Sequence, residues 1–274
     1  MNIATYFTYP IFQRALIACI LEGGVISLVG IVIVVLHLTT IRFALMHTAL
    51  LGSAAAIVLS LPPVWGALFA IAVTAWLMGP LSDKLKVDTG VSGALFMTGS
   101  LALAFFFFYQ AGIPAMEAFD VFSGNILSLT KADVVSLSVV SVTILILVIC
   151  FYRELQLVLY NEDLALTLGI QSKLVRNIML LICGMAIGVV MRLVGALLVD
   201  AIILLPALGA LQLGSSLATV LVITSLLGLT STVLGLLIAL KLNWPLGVTI
   251  TLTGVVVLLV ITFYRKHREH IRRK

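Results

Sequence analysis

Charged side chains are scarce in this sequence. Asp, Glu, Lys and Arg together make up 10% of the 274 residues, whereas a soluble domain carries roughly 25%. Hydrophobic residues make up 62%, and the mean hydropathy is +1.26. Apolar runs close to the ~20 residues that cross a bilayer recur along the whole chain. The scarcity of charge excludes an ordinary soluble protein, and the runs predict an all-α, polytopic membrane protein.

Cysteine and catalytic motifs are also scarce. Cys19, Cys150 and Cys183 each lie inside an apolar run, which predicts small core residues rather than a disulfide framework or a thiolate metal site. The sequence contains no GxxxxGK[ST] phosphate loop and no HExxH motif. We therefore expect neither an ATPase nor an intramembrane metalloenzyme, and we expect that the chain is not an enzyme.

Nine apolar segments are candidates for transmembrane helices. They are 14–36, 43–60, 63–80, 91–110, 133–152, 173–192, 194–213, 217–240 and 246–264. The segments 43–60 and 194–213 contain Gly, Pro or ionisable residues, so either of them is a candidate for an interrupted helix. Eight and nine crossings are both compatible with the pattern. The long connections between segments are 111–132 and 153–172.

The distribution of positive charge predicts the orientation in the membrane. The net charge is +5, but six Lys and Arg lie in the tail RKHREHIRRK, 265–274, directly after an apolar run. Such a tail is typical of a topology signal or a contact with anionic lipid, and we expect no nucleic-acid partner. With nine spans and a cytoplasmic C-terminus, twelve of the 16 Lys and Arg lie on the cytoplasmic side. The positive-inside rule therefore predicts a multi-pass protein of the cytoplasmic membrane, with the loop 153–172 in the cytoplasm.

The segment YNEDLALTLGI, 160–170, carries its own helix start and stop signals. These signals are the N-cap residue Asn161, the first-turn acids Glu162 and Asp163, and the terminal Gly169. Leu164 and Leu168 share one face of this helix. Because an isolated helix of two turns is not stable in water, we expect it either to dock into a groove on a soluble partner or to lie in the lipid headgroups.

Five stretches of the chain, taken in order, carry a resemblance to a known family. They are QRALIACILEGGVISLVGIVIVV (13–35), SGNILSLTKADV (123–134), YNEDLALTLGI (160–170), VGALLVDAIILLPALGA (194–210) and LNWPLGVTITL (242–252). In this order and spacing they resemble the membrane permease subunit of the ABC importers for zinc, manganese or iron. The resemblance covers roughly residues 10–264. Each stretch alone is a weak match, because apolar strings match easily, and their order makes the resemblance specific.

This resemblance implies an architecture and a set of partners. The fold implied is a type II-like ABC importer permease, with 1–274 forming one permease domain, a coupling helix at about 161–169 and a basic cytoplasmic tail at 265–274. The partners implied are a second permease subunit (identical or different), cytoplasmic ATPase subunits that use ATP, and an extracellular or periplasmic metal-binding protein. This subunit is expected to bind no cofactor. A degenerate or regulatory half of a permease heterodimer stays open as an alternative.

Three ionisable residues stand out inside the predicted spans: Glu22, His47 and Asp200. A charged side chain at the centre of a span costs ~2.5–3.5 kcal/mol on insertion scales, so such residues usually face a cavity or a partner. Carboxylate oxygen and imidazole nitrogen are ligands for Zn, Mn and Fe. We therefore predict that the three residues line the path of a metal ion. The alternatives are hydrogen bonds in helix packing or, for Asp200, an ion pair with Arg192.

The second span departs from the family pattern that it resembles. The family has a GDALSHAVLPG-type motif, whose Asp and His lie one helical turn apart and are thought to contact the metal. Here residues 42–52 read RFALMHTALLG, so the His matches at His47 whereas Phe43 stands at the Asp position. The substrate could therefore be a different ion or a metal chelate, or Glu22 and Asp200 could replace the missing carboxylate.

Overall fold

The fold is entirely helical in a computed structural model that describes residues 6–36, 38–86, 89–113, 126–170 and 172–272. The α-helices are α1 (Pro10–Gly24), α2 (Val29–Val35), α3 (Thr39–Val58), α4 (Pro63–Leu85), α5 (Thr89–Gln110), α6 (Lys131–Cys150), α7 (Tyr152–Tyr160), α8 (Glu162–Thr167), α9 (Ser172–Val194), α10 (Ala196–Leu213), α11 (Leu217–Leu242) and α12 (Leu246–Arg272). Single 3₁₀ turns lie at Ile26–Leu28 and Ile126–Ser128.

The helices group into two compact units. The first unit contains Met1–Val34, Asn125–Ile146 and Leu193–Lys274, and the second contains Val35–Gly124 and Leu147–Arg192. In the first unit, α11 packs against α1, α10 and α12. In the second unit, α3 packs against both α4 and α5.

The helices match the predicted spans closely. Among the described residues, six helical segments are long and apolar enough to cross a membrane: Pro10–Val35, Thr39–Val58, Gly90–Gln110, Lys131–Cys150, Leu217–Leu242 and Leu246–Arg268. Shorter apolar helices lie at Pro63–Met78, Ile182–Met191 and Leu198–Leu213. Each of these segments coincides with a predicted span, which confirms the all-α membrane architecture. The number of crossings, eight or nine, stays a prediction.

The expected interruptions were assigned to the wrong helices. Neither α3 nor α10 is broken, although α10 contains Pro206. The first span is the one that breaks, between Gly24 and Val29. In a regular α-helix the N–H of residue 28 bonds to the carbonyl of residue 24, whereas here the N–H of Leu28 donates to the carbonyl of Val25 at 3.1 Å.

The connection 153–172 is more ordered than a plain loop. It contains the short helix α7 as well as α8, and α7 buries Leu155 and Val158 while its polar residues occupy other faces. The alternation of Arg153, Glu154 and Gln156 with apolar residues at helical spacing was the signal for α7. Most of the other long connection, 111–132, lies outside the described residues.

Glycines allow the helices within each unit to approach at backbone distance. In the first unit, a Cβ atom on Gly23 would overlap the carbonyl of Gly228 in α11. In the second unit, Gly52 of α3 and Gly66 of α4 face each other, and a Cβ on either would meet the carbonyl oxygen of the other. Small residues at helix contacts are the usual means of close packing in membranes, where hydrocarbon supplies little driving force between helices.

Candidate functional site

His47 lies in the buried middle of α3. Its side chain is 7% exposed, and Nδ1 lies 2.7 Å from the carbonyl oxygen of Phe43, one turn earlier in the same helix. Because a carbonyl oxygen only accepts hydrogen bonds, Nδ1 must carry the proton in this contact. In the neutral ring, Nε2 then carries the lone pair, and metal-binding histidines are commonly oriented by this type of Nδ1 contact.

Arg42, the residue before Phe43, is a candidate site residue that the sequence did not indicate, because it was counted only as a positive charge. Arg42 is 1% exposed, and its guanidinium carbon lies 4.3 Å from the centre of the Phe43 ring. A cation over an aromatic face contributes ~2 kcal/mol or more when desolvated. The position at which the resembled family has an Asp therefore holds a phenyl ring without a metal-ligating atom, next to a buried positive charge.

Glu22 lies at the end of α1, two residues before the break in the first span. Its side chain is 0% exposed. Neither carboxyl oxygen has a hydrogen-bond partner in the part of the chain that the structure describes. Since a buried polar group without a partner is costly, and interrupted transmembrane helices often carry substrate sites, Glu22 is a stronger functional candidate than its place in an apolar run indicated.

The backbone around this break is held by hydroxyl groups. Ser27 Oγ donates to the carbonyl oxygen of Gly23 at 2.6 Å. From α11, Ser225 Oγ donates to the carbonyl of Gly24 at 2.6 Å, and Thr232 Oγ1 lies 2.8 Å from the carbonyl of Cys19 as a donor. Serine and threonine side chains commonly satisfy backbone groups that a break exposes in a membrane helix.

Asp200 lies in the second turn of α10 and is half-buried. The side chain of Arg192, its alternative partner in the sequence analysis, lies outside the part that the structure describes. Among the described residues, no group of three or more His, Cys, Asp and Glu side chains could hold a metal ion. Glu22 and Asp200 belong to the first unit and His47 belongs to the second, so a metal path that includes all three stays a prediction.

Helix α8 forms where its sequence signals place it. Asn161 is its N-cap, and the side-chain oxygen accepts a hydrogen bond of 3.0 Å from the N–H of Leu164. At the other end, Gly169 has φ +81°, its N–H donates to the Leu166 carbonyl, and the N–H of Ile170 donates to the Ala165 carbonyl. This pair of bonds is a Schellman motif. The side chains of Glu162 and Asp163 lie outside the described part.

Several apolar side chains of α8 and of its flanking residues are exposed. Ala165 is buried, and α8 packs against α7. Leu164 is 41% and Leu168 is 61% exposed, and Leu166 and Tyr160 are exposed as well. Tyr160 was not predicted as a site residue, although it directly precedes the N-cap. A short helix that is capped at both ends and displays leucines is suited to docking on another surface.

The chain is similar to known transport proteins over most of its length. The model of the ABC 3 transport family matches residues 8–265. The manganese transport system membrane protein MntC of Halalkalibacterium halodurans is 23% identical over 77% of this chain and 72% of its own. The high-affinity zinc uptake system membrane protein ZnuB of Buchnera aphidicola is 24% identical over 76% of this chain and 80% of its own.

A solved structure shows the same fold. PsaBC from Streptococcus pneumoniae, determined in complex with a Fab, superposes with a TM-score of 0.84 at 25% sequence identity. The match covers 92% of this chain and 91% of that one. The similarity therefore extends over both units of the structure rather than a single helical hairpin.

Proposed function

The chain belongs to the ABC 3 transport family, and we propose that it is the membrane permease subunit of an ABC importer for a divalent transition metal, of the zinc, manganese or iron kind. The observation that carries the proposal is the family match over residues 8–265. The two structural units are then parts of one permease domain. ATP is consumed by a separate ATPase subunit, and this chain needs no cofactor of its own.

Helix α8 is the contact through which the ATPase moves the permease. Its caps stabilise a helix that would be unfolded alone, so it can transmit force as a rigid element. The exposed Leu164 and Leu168 supply the apolar surface that enters a groove of the ATPase. Helix α8 packs on α7, and the two helices lie in the chain between the spans α6 and α9.

His47, Glu22 and Asp200 contribute to the path of the metal. The Nδ1 contact of His47 with the Phe43 carbonyl orients the ring so that Nε2 is the ligating atom. Glu22 offers two buried carboxyl oxygens at the break in the first span. Imidazole and carboxylate are suitable ligands for Zn, Mn and Fe(II), and weak, separate contacts suit a substrate that must also be released.

The orientation and partners follow from the charge distribution and from the family. The C-terminus and α8 lie in the cytoplasm, because this arrangement puts most Lys and Arg inside. The permease pairs with a second permease subunit, which is either identical or different. An extracellular or periplasmic metal-binding protein delivers the metal to the opposite face.

Whole-cell elemental analysis of a strain that lacks this chain tests the proposal. We expect the content of one metal among Mn, Zn and Fe to fall in metal-limited medium and to recover when the wild-type chain is expressed. Expression of a chain with Leu164→Asp and Leu168→Asp should fail to restore it. Unchanged contents of all three metals in the deletion strain would contradict the proposed substrate class.

A further inference from the structure

An open groove of about 870 Å³ lies in the second unit, between α4 and α5, with α3 as its floor. Small residues of the floor include Gly52, Ala55 and Ala56, and Gly99 of α5 borders the same space. Trp65 and Phe69 of α4 form one wall. We propose that this groove binds one acyl chain of a membrane phospholipid. This inference depends on the membrane-spanning character of the helices and not on the identity of the transported ion.

The groove results from the way the helices contact α3. At the α3–α4 turn, Gly52 and Gly66 bring α3 and α4 to backbone contact. At the opposite end of α3, Gly93 of α5 lies close to Thr40, since a Cβ there would be 3.1 Å from Thr40 Cγ2. Further along α5, a Cβ on Gly99 would have nothing within 4 Å. Helices α4 and α5 each pack closely on α3 but contact each other little, which leaves a wedge between them.

The dimensions of the wedge match one leaflet. Along α5 the groove extends from Leu95 to Phe107, which at 1.5 Å per residue is about 18 Å. One leaflet contributes half of the ~30 Å hydrocarbon core. The groove begins at the turn that follows α3 and ends near Thr48 in the middle of that helix. It therefore extends from the membrane edge to about the bilayer centre.

The residues that line the groove favour a hydrocarbon ligand over a polar one. None of the described residues that line the groove carries a charge. Its hydroxyl groups belong to Thr48, Thr74 and Ser100, and the Thr48 hydroxyl lies 3.0 Å from carbonyl oxygens of its own helix. A polar ligand would find no strong partner there. Trp65, which is 70% exposed, lies at the end next to the turn, where tryptophan is favoured beside the lipid headgroups.

The groove offers about 870 Å³ of space and requires an occupant that is apolar from end to end. An acyl chain has the length and the flexibility to fill the wedge along its whole length.

Tryptophan quenching by lipids with brominated acyl chains tests this proposal on the purified full chain in detergent. A background with Trp76→Phe and Trp244→Phe keeps Trp65 as the reporter. Gly99→Leu fills the groove, and Gly247→Leu is the matched control, because a Cβ at either glycine meets nothing within 4 Å. We expect quenching that saturates near a single lipid per chain. Gly99→Leu should weaken the affinity for the lipid about tenfold or more, and Gly247→Leu should leave it unchanged.

A second groove-filling variant keeps the test decisive if Gly99→Leu does not fold. Leu103→Phe enlarges a wall position that is 50% exposed without adding a second tryptophan reporter, and it should weaken quenching in the same way. Quenching that does not saturate, or that neither groove variant weakens, would overturn the proposal. If Gly99→Leu and Leu103→Phe instead reduce self-association of the permease while lipid quenching is unchanged, the groove is an interface between two copies, and the proposal is wrong.

Discussion

Ser225 Oγ donates a hydrogen bond of 2.6 Å to the carbonyl oxygen of Gly24, a residue 201 positions earlier in the chain. The Gly24 carbonyl needs this donor because the N–H of Leu28 bonds to Val25 instead. One side chain of α11 thus stabilises the break in the first span, two residues after the buried Glu22.

Removal of this hydroxyl should destabilise the protein. Ser225→Ala leaves a buried carbonyl oxygen without its donor, and we expect a loss of about 1–2 kcal/mol. Ser136→Ala is the control, because the Ser136 hydroxyl is exposed and bonds to the Ala132 carbonyl within its own helix. Thermal unfolding in detergent, followed by size-exclusion chromatography of the heated samples, measures the difference. Equal melting temperatures for the two variants would contradict the role assigned to Ser225.

Close contact between α3 and α4 gives a second stability prediction. Gly52→Ala or Gly66→Ala places a Cβ against the carbonyl of the facing glycine, so each should cost about 1–3 kcal/mol through overpacking. Gly247→Ala is the control, since nothing lies within 4 Å of its Cβ and alanine favours helix by up to ~1 kcal/mol. The yield of folded protein and the melting temperature should fall only in the first two variants. A stable Gly52→Ala protein would show that the helices can separate without cost.

Much of the fold could be predicted because its signals are local. Apolar run length is sufficient to identify the spans, and the ends of α8 depend on Asn161 and Gly169, whose capping roles involve only neighbouring residues. The break in the first span was not predictable in this way. Gly23 and Gly24 permit it, but the donors that stabilise it include Ser225 and Thr232, which are about 200 positions away.

In the candidate site too, the features with local signals could be predicted and those that depend on packing could not. His47 was identified from its position in an apolar run and from a family motif, and its contact with the carbonyl of Phe43 is one turn away within the same helix. The burial of Arg42 and of Glu22 depends on neighbouring helices, so no pattern in the sequence indicated it. The apolar groove likewise depends on how α4 and α5 pack against α3, which no local pattern in the sequence indicates.

The exposed face of α8 should be essential for binding the ATPase. Leu164→Asp together with Leu168→Asp puts two carboxylates into an apolar contact, and the cost of burying them should weaken binding about a hundredfold or more. Leu166→Asp introduces one carboxylate on another face of the helix and is the control, and Leu164→Asp alone gives the comparison at equal charge. Co-purification of the ATPase with the tagged permease is the measurement. Retention of the ATPase by the double variant, at normal membrane levels of the permease, would contradict the coupling role of α8.

The ionisable residues of the spans should control metal uptake without affecting assembly. His47→Ala removes the Nε2 ligand, and we expect metal accumulation to fall at least about tenfold, the scale reported when the groups that orient a ligand are lost. Asp200→Ala should also impair accumulation.

Glu22→Gln keeps the size of the side chain and removes its capacity for negative charge. Impaired uptake would identify Glu22 as a metal contact, whereas a packing role would leave uptake unchanged. Elemental analysis of cells gives the uptake, and co-purification of the ATPase shows that each variant is still assembled. Normal accumulation with both His47→Ala and Asp200→Ala would indicate that this chain is a non-conducting partner in a heterodimer, because a conducting path needs ligands that replace the hydration of the ion.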